Sequence, residues 1–506
     1  MSFRSNLLAN YVSQIYVTVV GIVMVPLYVR YMGAEAYGLV GFFAMLQAWF
    51  QLLDLGLTPT MARETSRFLG GANDALSLRR LLRTLEGIFV AIAVLGASAL
   101  VAGSGPIAHG WLNAESLPPI QVQQSIILMA IIVALRWVCG LYRGAISGFD
   151  HLVWLSGFNI LMATGRFVLV IPYLIYVGAS PTEFFCYQLG LAGVEVALLV
   201  LKTYRLLPKV EVGQRTRWQW GPLRGVLKFS ISIAFTSSVW VFVTQTDKLV
   251  LSKVLSLTDY AYFTLAVLMA SGVMVISGPI SGALVPRLSK LCAEGDNPGL
   301  VRLYRDATQL MAVVAIPTAL VLAFFSEQVL WAWTGNAAVT RNAAPVLTLY
   351  AVGNGILALA AFPYYLQFAK GDLKLHLIGN ALFVLLLIPA VLWATLQYGV
   401  IGAGYAWLGA NAVYFVAWVP KVHHRLVVGL HAQWLRQDIG GILLLTLTGV
   451  AVAHRLMIWP QDRVQVALLI AVLGLVFLAV AALGSPLARA RIRHRSRLLF
   501  SEWVQR

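Results

Sequence analysis

The chain has 506 residues, 59% of them hydrophobic and 11% charged, with a formal net charge of +17 and a mean hydropathy of +0.80. That composition excludes a soluble protein, because apolar stretches follow one another so closely that no soluble domain of useful size is left over. Cys139, Cys186 and Cys292 stand far apart in the sequence, which excludes a disulfide framework and a Cys-x-x-Cys metal site.

A hydrocarbon core roughly 30 Å thick needs about 20 apolar residues per helix. Windows of that kind predict about fourteen membrane-spanning helices, over residues 8–29, 37–57, 86–107, 122–146, 152–177, 184–201, 229–252, 259–280, 308–332, 344–368, 375–396, 400–420, 439–457 and 464–483. The first is too long for a signal-peptide core and lacks a small-residue cleavage site, so it is expected to stay attached.

Basic residues fall on every second connection. One side carries Arg4, Arg63, Arg67, Arg79, Arg80, Arg83 and Arg143, the 202–228 loop and the Arg287 to Arg305 connection. The same side continues with Lys370, Lys374, Lys421, Arg425, Arg436 and the Arg-rich tail, whereas the other has only Arg30, Lys253, Arg341, Arg455 and Arg463. The positive-inside bias then places both termini in the cytoplasm and the protein in a bacterial inner membrane. The positive charge is therefore mostly topological. It is weak evidence for nucleic acid, because the tail and the loop can meet anionic headgroups at about 1 kcal/mol per residue; membrane lipid is an expected partner and nucleic acid is not.

Sliding the chain against itself by about 216 to 224 residues sets Tyr37-Gly38 against Tyr260-Ala261 and Arg63 against Arg287. Gly148, Asp150, Asn159 and Pro172 then meet Gly371, Asp372, Asn380 and Pro389, and Gly193-Val194-Glu195 meets Gly409-Ala410-Asn411. A six-helix repeat keeps its orientation, so the two lobes should be related by a pseudo-twofold axis along the membrane normal, with a cleft between them. The expected architecture is an all-α polytopic membrane protein. It has an N-lobe over 1–204 (helices 1–6), a cytoplasmic basic linker over 205–228 and a C-lobe over 229–425 (helices 7–12). Appended helices 13 and 14 facing lipid follow over 426–485, then a basic cytoplasmic tail over 486–506.

Arg136, Arg166 and Glu195 fall near the middles of helices 4, 5 and 6, and Asp54, Asp247 and Lys248 nearer the ends of helices 2 and 7. An ionised group at mid-depth costs roughly 2.5 to 3.5 kcal/mol. These side chains are therefore expected to line a wet interior or to pair with one another. Near helix ends Lys248 and Arg30 can snorkel.

Helical spacing gathers further polar residues into stripes: Asn6, Asn10 and Gln14; Gln47, Gln51 and Asp54; Arg136 and Arg143; Asn159 and Arg166; Gln188, Glu195 and Lys202. In the second lobe Trp240, Thr244, Asp247 and Lys248 share one face, and Asn411, Tyr414 and Trp418 another. Cations suit phosphate, because guanidinium forks match its oxygens, and flat rings stack on sugars. A plainer reading stands beside this one. Arg136 or Arg166 with Glu195 can be an ion pair that fixes helix packing, and Asn and Gln stripes can be interhelical glue. Asp247 and Lys248 diverge by about 100° on a helix, so different partners are expected for them.

No Walker A loop, HExxH, GxSxG or DxD motif is present, which argues for a transporter and against an enzyme.

Asn10-Tyr11, Gln14, Val25-Pro26-Leu27-Tyr28, Arg30-Tyr31-Met32-Gly33, Tyr37-Gly38, Leu53-Asp54-Leu55-Gly56 and Ala62-Arg63-Glu64 resemble the start of the polysaccharide transporters, including bacterial O-antigen flippases. Gln245-Thr246-Asp247-Lys248, Leu251-Ser252-Lys253 and Tyr260 are similar to the seventh-helix pattern of that family, which belongs to the multidrug/oligosaccharidyl-lipid/polysaccharide exporter superfamily. The resemblance implies two six-helix lobes around a cationic cavity. It also implies a flippase that moves undecaprenyl-diphosphate-linked oligosaccharide from the cytoplasmic to the periplasmic leaflet by alternating access. The related lipid II flippase lines its cavity with Arg near the first two helices; here the first helix presents Gln14, and Arg30 and Arg63 are the nearest cations.

On this reading Arg30, Arg63, Arg136, Arg166 and Lys248 are the candidate substrate-binding cations, and Asp54, Glu195 and Asp247 the candidate coupling-ion or charge-pair sites. Gln14, Gln51, Asn159, Trp240, Asn411 and Tyr414 are the candidate polar and aromatic lining. No cofactor or metal is expected, apart from coupling to a proton or sodium ion, and other polysaccharide-assembly proteins are the expected protein partners. Two competitors remain: a multidrug or organic-cation antiporter of the same superfamily, which calls for an acidic cavity, and a membrane polysaccharide polymerase or ligase. The latter would place a large Arg- and His-bearing loop outside, whereas the 108–121 connection holds only His109 and Glu115.

Overall fold

A computed structural model describes residues 3–72, 74–209, 238 and 240–490. The predicted linker beyond residue 209, the first part of the predicted 229–252 helix and the tail beyond residue 490 lie outside the described residues. Among the described residues every regular element is a helix, and 13 of them are long and apolar enough to cross a membrane. The chain is an all-α, multi-pass membrane protein. It divides into two compact units, Met1–Ala261 and Tyr262–Arg506.

The first unit contains α1 (Phe3–Met32), α2 (Ala34–Phe50), α3 (Leu57–Leu69), α4 (Ala75–Ala102), α5 (Pro119–Gly148), α6 (Leu152–Tyr176) and α7 (Pro181–Leu206). A helical segment over 240–254 (α8) leads into α9 (Leu257–Ala293), which carries the chain into the second unit. Local chemistry sets the helix starts. The Asp74 carboxylate accepts from Ser77 N–H at the start of α4, and Ser180 and Glu183 form a reciprocal capping box at the start of α7, with Pro181 in the first turn.

Lipid tails are as apolar as leucine, so helices in a bilayer are held by close packing and hydrogen bonds, not by apolar burial. The hub of the first unit, α5, packs against α2, α3, α4 and α7. Gly144 and Gly148 make the α3 approach feasible: a Cβ at Gly144 would lie 2.6 Å from the Thr58 carbonyl oxygen, and one at Gly148 would strike that of Ala62. Buried hydroxyls turn back on their own helices, Thr65 donating to Met61 O and Thr203 to Leu199 O, which leaves few polar atoms for the lipid.

In the second unit α10 (Asn297–Phe324) is the hub, followed by α11 (Ser326–Thr334), α12 (Ala337–Ala360), α13 (Lys374–Tyr398), α14 (Val400–Leu426), α15 (Leu430–Leu456) and α16 (Arg463–Gly484). Tyr304, Phe325, Phe362 and Trp434 are fully buried in its core.

The pair α15 and α16, expected as lipid-facing appendages, expose Leu444, Leu468 and Leu475, but their ends are keyed to α10. Arg305 holds Asp438 with two bonds, 2.7 Å from Nε and 3.0 Å from Nη2. Gln309 donates to the same carboxylate at 2.8 Å, and its Oε1 accepts from Ser485 Oγ and from Leu487 N–H. Trp434 Nε1 donates to Thr308 Oγ1 at 2.9 Å. Hydropathy alone could not show this attachment, because it rests on five polar side chains and one indole.

Candidate functional site

The side chains that matter most converge from α2, α5, α6 and α7. Arg136 and Arg143 lie seven residues apart on α5, and Gln188 and Glu195 seven apart on α7, which puts each pair on one helix face about 10.5 Å apart. The helices run parallel, and the faces meet as two rungs. Arg136 Nη2 donates to Gln188 Oε1 at 2.6 Å, and Arg143 Nη2 to Glu195 Oε1 at 2.6 Å. From α6, Arg166 Nη2 pairs with the other oxygen of Glu195, and Asn159 Oδ1 accepts from Arg143 Nη1. From α2, Gln47 Oε1 accepts from Arg136 Nη1 at 3.3 Å.

Arg166 sits in a single widened turn of α6, Thr164–Val168, in which Leu169 N–H reaches back five residues to Thr164 O. Carbonyls in such a turn are open to side chains. Gly165 O accepts from Tyr187 OH, Arg166 O from Gln188 Nε2 at 3.0 Å, and Phe167 O from Tyr28 OH at 2.8 Å. Gln188 thus holds Arg136 with its oxygen and the Arg166 backbone with its nitrogen, which fixes two cations against each other.

Arg143 and Arg166 share the Glu195 carboxylate while Arg136 stands beside them on two amide oxygens, so three guanidinium groups and one carboxylate leave two positive charges in excess. Glu195 is 1% exposed, whereas the side chains of Arg143 and Arg166 are 27% and 24% exposed. The carboxylate lies behind the forks and orients them. The Nε–H groups of Arg136 and Arg166 are buried and lack a hydrogen-bond partner. Phe43 and Phe158 rings lie 5.4 and 5.8 Å from the Arg136 and Arg143 guanidinium carbons. Preoriented, partly exposed forks with surplus charge suit an anion with several oxygens.

The other sequence candidates have separate settings. Arg63 is 46% exposed and lies 3.8 Å from Glu64, which also pairs with Arg67. Arg30 is exposed in the last turn of α1, and Gln14 and Gln51 are exposed as well. Asp54 accepts from the backbone N–H and the hydroxyl of Thr58, at 3.2 and 2.6 Å, and so steers the entry to α3. Asn411 donates to Trp407 O at 2.8 Å, Tyr414 packs edge-on against Phe383, and Trp240 is exposed.

Asp247 and Lys248 also approach each other more closely than their Cβ directions suggest. Lys248 Nζ reaches back to the Thr244 carbonyl and lies 3.4 Å from Asp247 Oδ1. The four-carbon stem folds over the 100° that separates the two positions, which a Cβ-direction argument does not anticipate.

Arg143, counted among the basic residues of one side, shares the α5 face of Arg136 seven residues away, as the spacing predicts. Gln47 and Gln188 also lay on recognised stripes, but nothing in the sequence marked them as partners of Arg136. Among the described residues no three His, Cys, Asp or Glu side chains gather to hold a metal ion.

A family model described as polysaccharide biosynthesis protein matches residues 188–337. A Shigella flexneri protein assigned as an O-antigen transporter is 18% identical over 407 residues, covering 80% of this chain and 94% of that one. Among solved structures, lipid II flippase MurJ in an inward closed conformation superposes with a TM-score of 0.70 at 14% identity, covering 97% of this chain and 99% of MurJ. The chain has the fold of MurJ. An inward-facing multidrug resistance MATE family transporter of the MOP superfamily shares that fold too, with a TM-score of 0.69 at 13% identity over 82% of this chain and 98% of its own. These proteins are named as transporters or flippases. The MurJ/MATE fold and the family match bear out the resemblance read from the motifs.

Proposed function

We propose that this protein flips an undecaprenyl-diphosphate-linked oligosaccharide from the cytoplasmic to the periplasmic leaflet of the bacterial inner membrane by alternating access, with both termini in the cytoplasm. The observation that carries the reading is the cluster of Arg136, Arg143 and Arg166 around the single carboxylate of Glu195. Two surplus positive charges equal the two negative charges of a diphosphate diester at neutral pH. The partly exposed forks of Arg143 and Arg166 meet the diphosphate, and the polyprenyl tail stays in lipid while the sugars pass through a polar interior. The family match and the likeness to MurJ and to an O-antigen transporter support the substrate class.

An organic-cation antiporter shares the fold, but a drug cation would meet a cluster of its own sign. Purified protein in proteoliposomes, given a fluorescent lipid-diphosphate-linked saccharide, should expose the label to an external quencher. In a deletion strain, lipid-linked units should accumulate in the inner leaflet; accumulation in the outer leaflet would instead indicate a polymerase or ligase. Imposed proton and sodium gradients test coupling, with Asp54 as the first carboxylate to vary. Glu195 and Asp247 each have a cation within ion-pair distance, whereas the hydrogen bonds of Asp54 go to Thr58. Indifference to both gradients would remove all three from a coupling role.

A further inference from the structure

At one end of the first unit, the segment between α4 and α5 is clasped from two sides. On one side stands Glu35, in the first turn of α2 and 7% exposed. Its carboxylate accepts from the backbone N–H of Glu115 at 2.6 Å and of Ser116 at 3.0 Å, and from the Ser116 hydroxyl. Successive N–H groups around one anion form a backbone nest. On the other side stands the turn that leads into α9. Asn113 Nδ2 donates to Lys253 O at 3.0 Å and to Leu255 O at 3.2 Å, and Asn113 O accepts from Leu257 N–H at 2.9 Å. Trp111 Nε1 donates to Ser252 Oγ at 3.0 Å, and Lys253 Nζ to Gly110 O. Gly38 on α2 completes the clasp, because a Cβ there would strike the Leu257 carbonyl oxygen.

We propose that this clasp is a latch of the transport cycle: it fastens the start of α9 to α2 through residues 110–117, and it opens each time the substrate pathway changes sides. The inference rests on the transport reading above, but it uses none of the residues of the cationic cluster. Three features argue for a latch instead of a permanent cap. The bonds are polar and sit at helix ends, where water can replace them, so that release does not strand polar atoms in hydrocarbon. Both clasps act on one short segment, Gly110 to Ser116, and would let go together. The fastened turn immediately precedes the helix that crosses from one compact unit to the other, so any movement of that helix at its start must first release Asn113.

The test is a reversible cross-link. Asn113 and Ser256 face each other in an isolated parallel bridge, a spacing within disulfide reach. An Asn113→Cys, Ser256→Cys pair is placed in a background in which Cys139, Cys186 and Cys292 are replaced by Ser or Ala. Transport by the cysteine-free parent checks the transport reading by itself. Oxidation of the pair, verified by mobility shift, should lower transport at least about ten-fold, with recovery on reduction. Parental transport by the cross-linked protein would overturn the proposal. A second readout needs no substrate: Glu35→Gln, which turns an amide N–H₂ toward the nest, should raise the rate at which a membrane-impermeant maleimide labels Ser256→Cys by about ten-fold. Equal labelling with and without Glu35→Gln would equally overturn the latch, whatever the protein carries.

Discussion

Arg143 and Glu195 meet at 2.6 Å across α5 and α7, and the two ends of the contact differ: the carboxylate is buried, while the guanidinium reaches solvent. Substituting Glu195→Gln should therefore act mainly on the cations. Arg143 and Arg166 would lose their shared counter-ion. Breaking a buried pair costs about 3–5 kcal/mol, and the exposure of the forks brings the expected loss down to about 2–3 kcal/mol. Thermal unfolding in detergent measures it. An Arg143→Ala, Glu195→Ala cycle should give a coupling energy above about 1 kcal/mol. An unchanged midpoint for Glu195→Gln would mean that the carboxylate does not hold the forks.

How much of this was legible in the sequence follows from what each feature depends on. Apolar length and helical period are local properties, so the spans and the stripes that hold Arg136, Arg166, Asn159 and Glu195 could be read directly. Which stripe meets which is set by tertiary packing. The Arg143 pairing with Glu195, and the amide oxygens of Gln47 and Gln188 on Arg136, were therefore out of reach. The same holds for Glu35, whose partners are main-chain N–H groups that no side-chain pattern encodes. The widened turn around Arg166 changes the hydrogen-bond register of α6 without a proline or glycine pair to announce it beforehand, apart from the lone Gly165.

Arg136 offers a cleaner probe of ligand binding than Arg143, because amide oxygens hold it instead of a carboxylate. Arg136→Ala leaves two neutral acceptors short of a donor, which costs about 1–2 kcal/mol, and no buried charge is orphaned. The protein should still reach the membrane in normal amount. Surface polysaccharide in a complemented deletion strain should nonetheless fall strongly, and Arg136→Lys should restore it poorly, since a point charge cannot span Gln47 and Gln188. Full polysaccharide from Arg136→Ala at normal abundance would remove this residue from the phosphate role.

Two glycines should respond in opposite directions. At Gly148 a Cβ strikes the Ala62 carbonyl oxygen and lies 2.6 Å from Thr65 Cβ, so Gly148→Val must push α3 off α5 at a cost of about 3 kcal/mol or more. At Gly193, in the interior of α7, nothing lies within 4 Å of the added methyl. Gly193→Ala should leave packing intact and gain up to about 1 kcal/mol of helix propensity. Unfolding midpoints of the two variants in one detergent check the contrast.

Arg305 and Asp438 decide whether α15 and α16 belong structurally to the second unit. Asp438 is 0% exposed and takes two bonds from Arg305 and one from Gln309. Arg305→Ala removes the cation and leaves a buried carboxylate with one neutral donor, a loss of about 3–5 kcal/mol. The damage should be local to the start of α15. Proteolysis in the connection before α15, around Val427 to Gly429, should therefore accelerate more than cleavage elsewhere. Adding Asp438→Leu to Arg305→Leu should recover most of the stability, because it removes the stranded charge and leaves apolar side chains of similar bulk. If the single and double variants unfold at the same temperature as the parent, the ion pair is not what fastens the C-terminal helices, and the indole of Trp434 on Thr308 becomes the anchor to test.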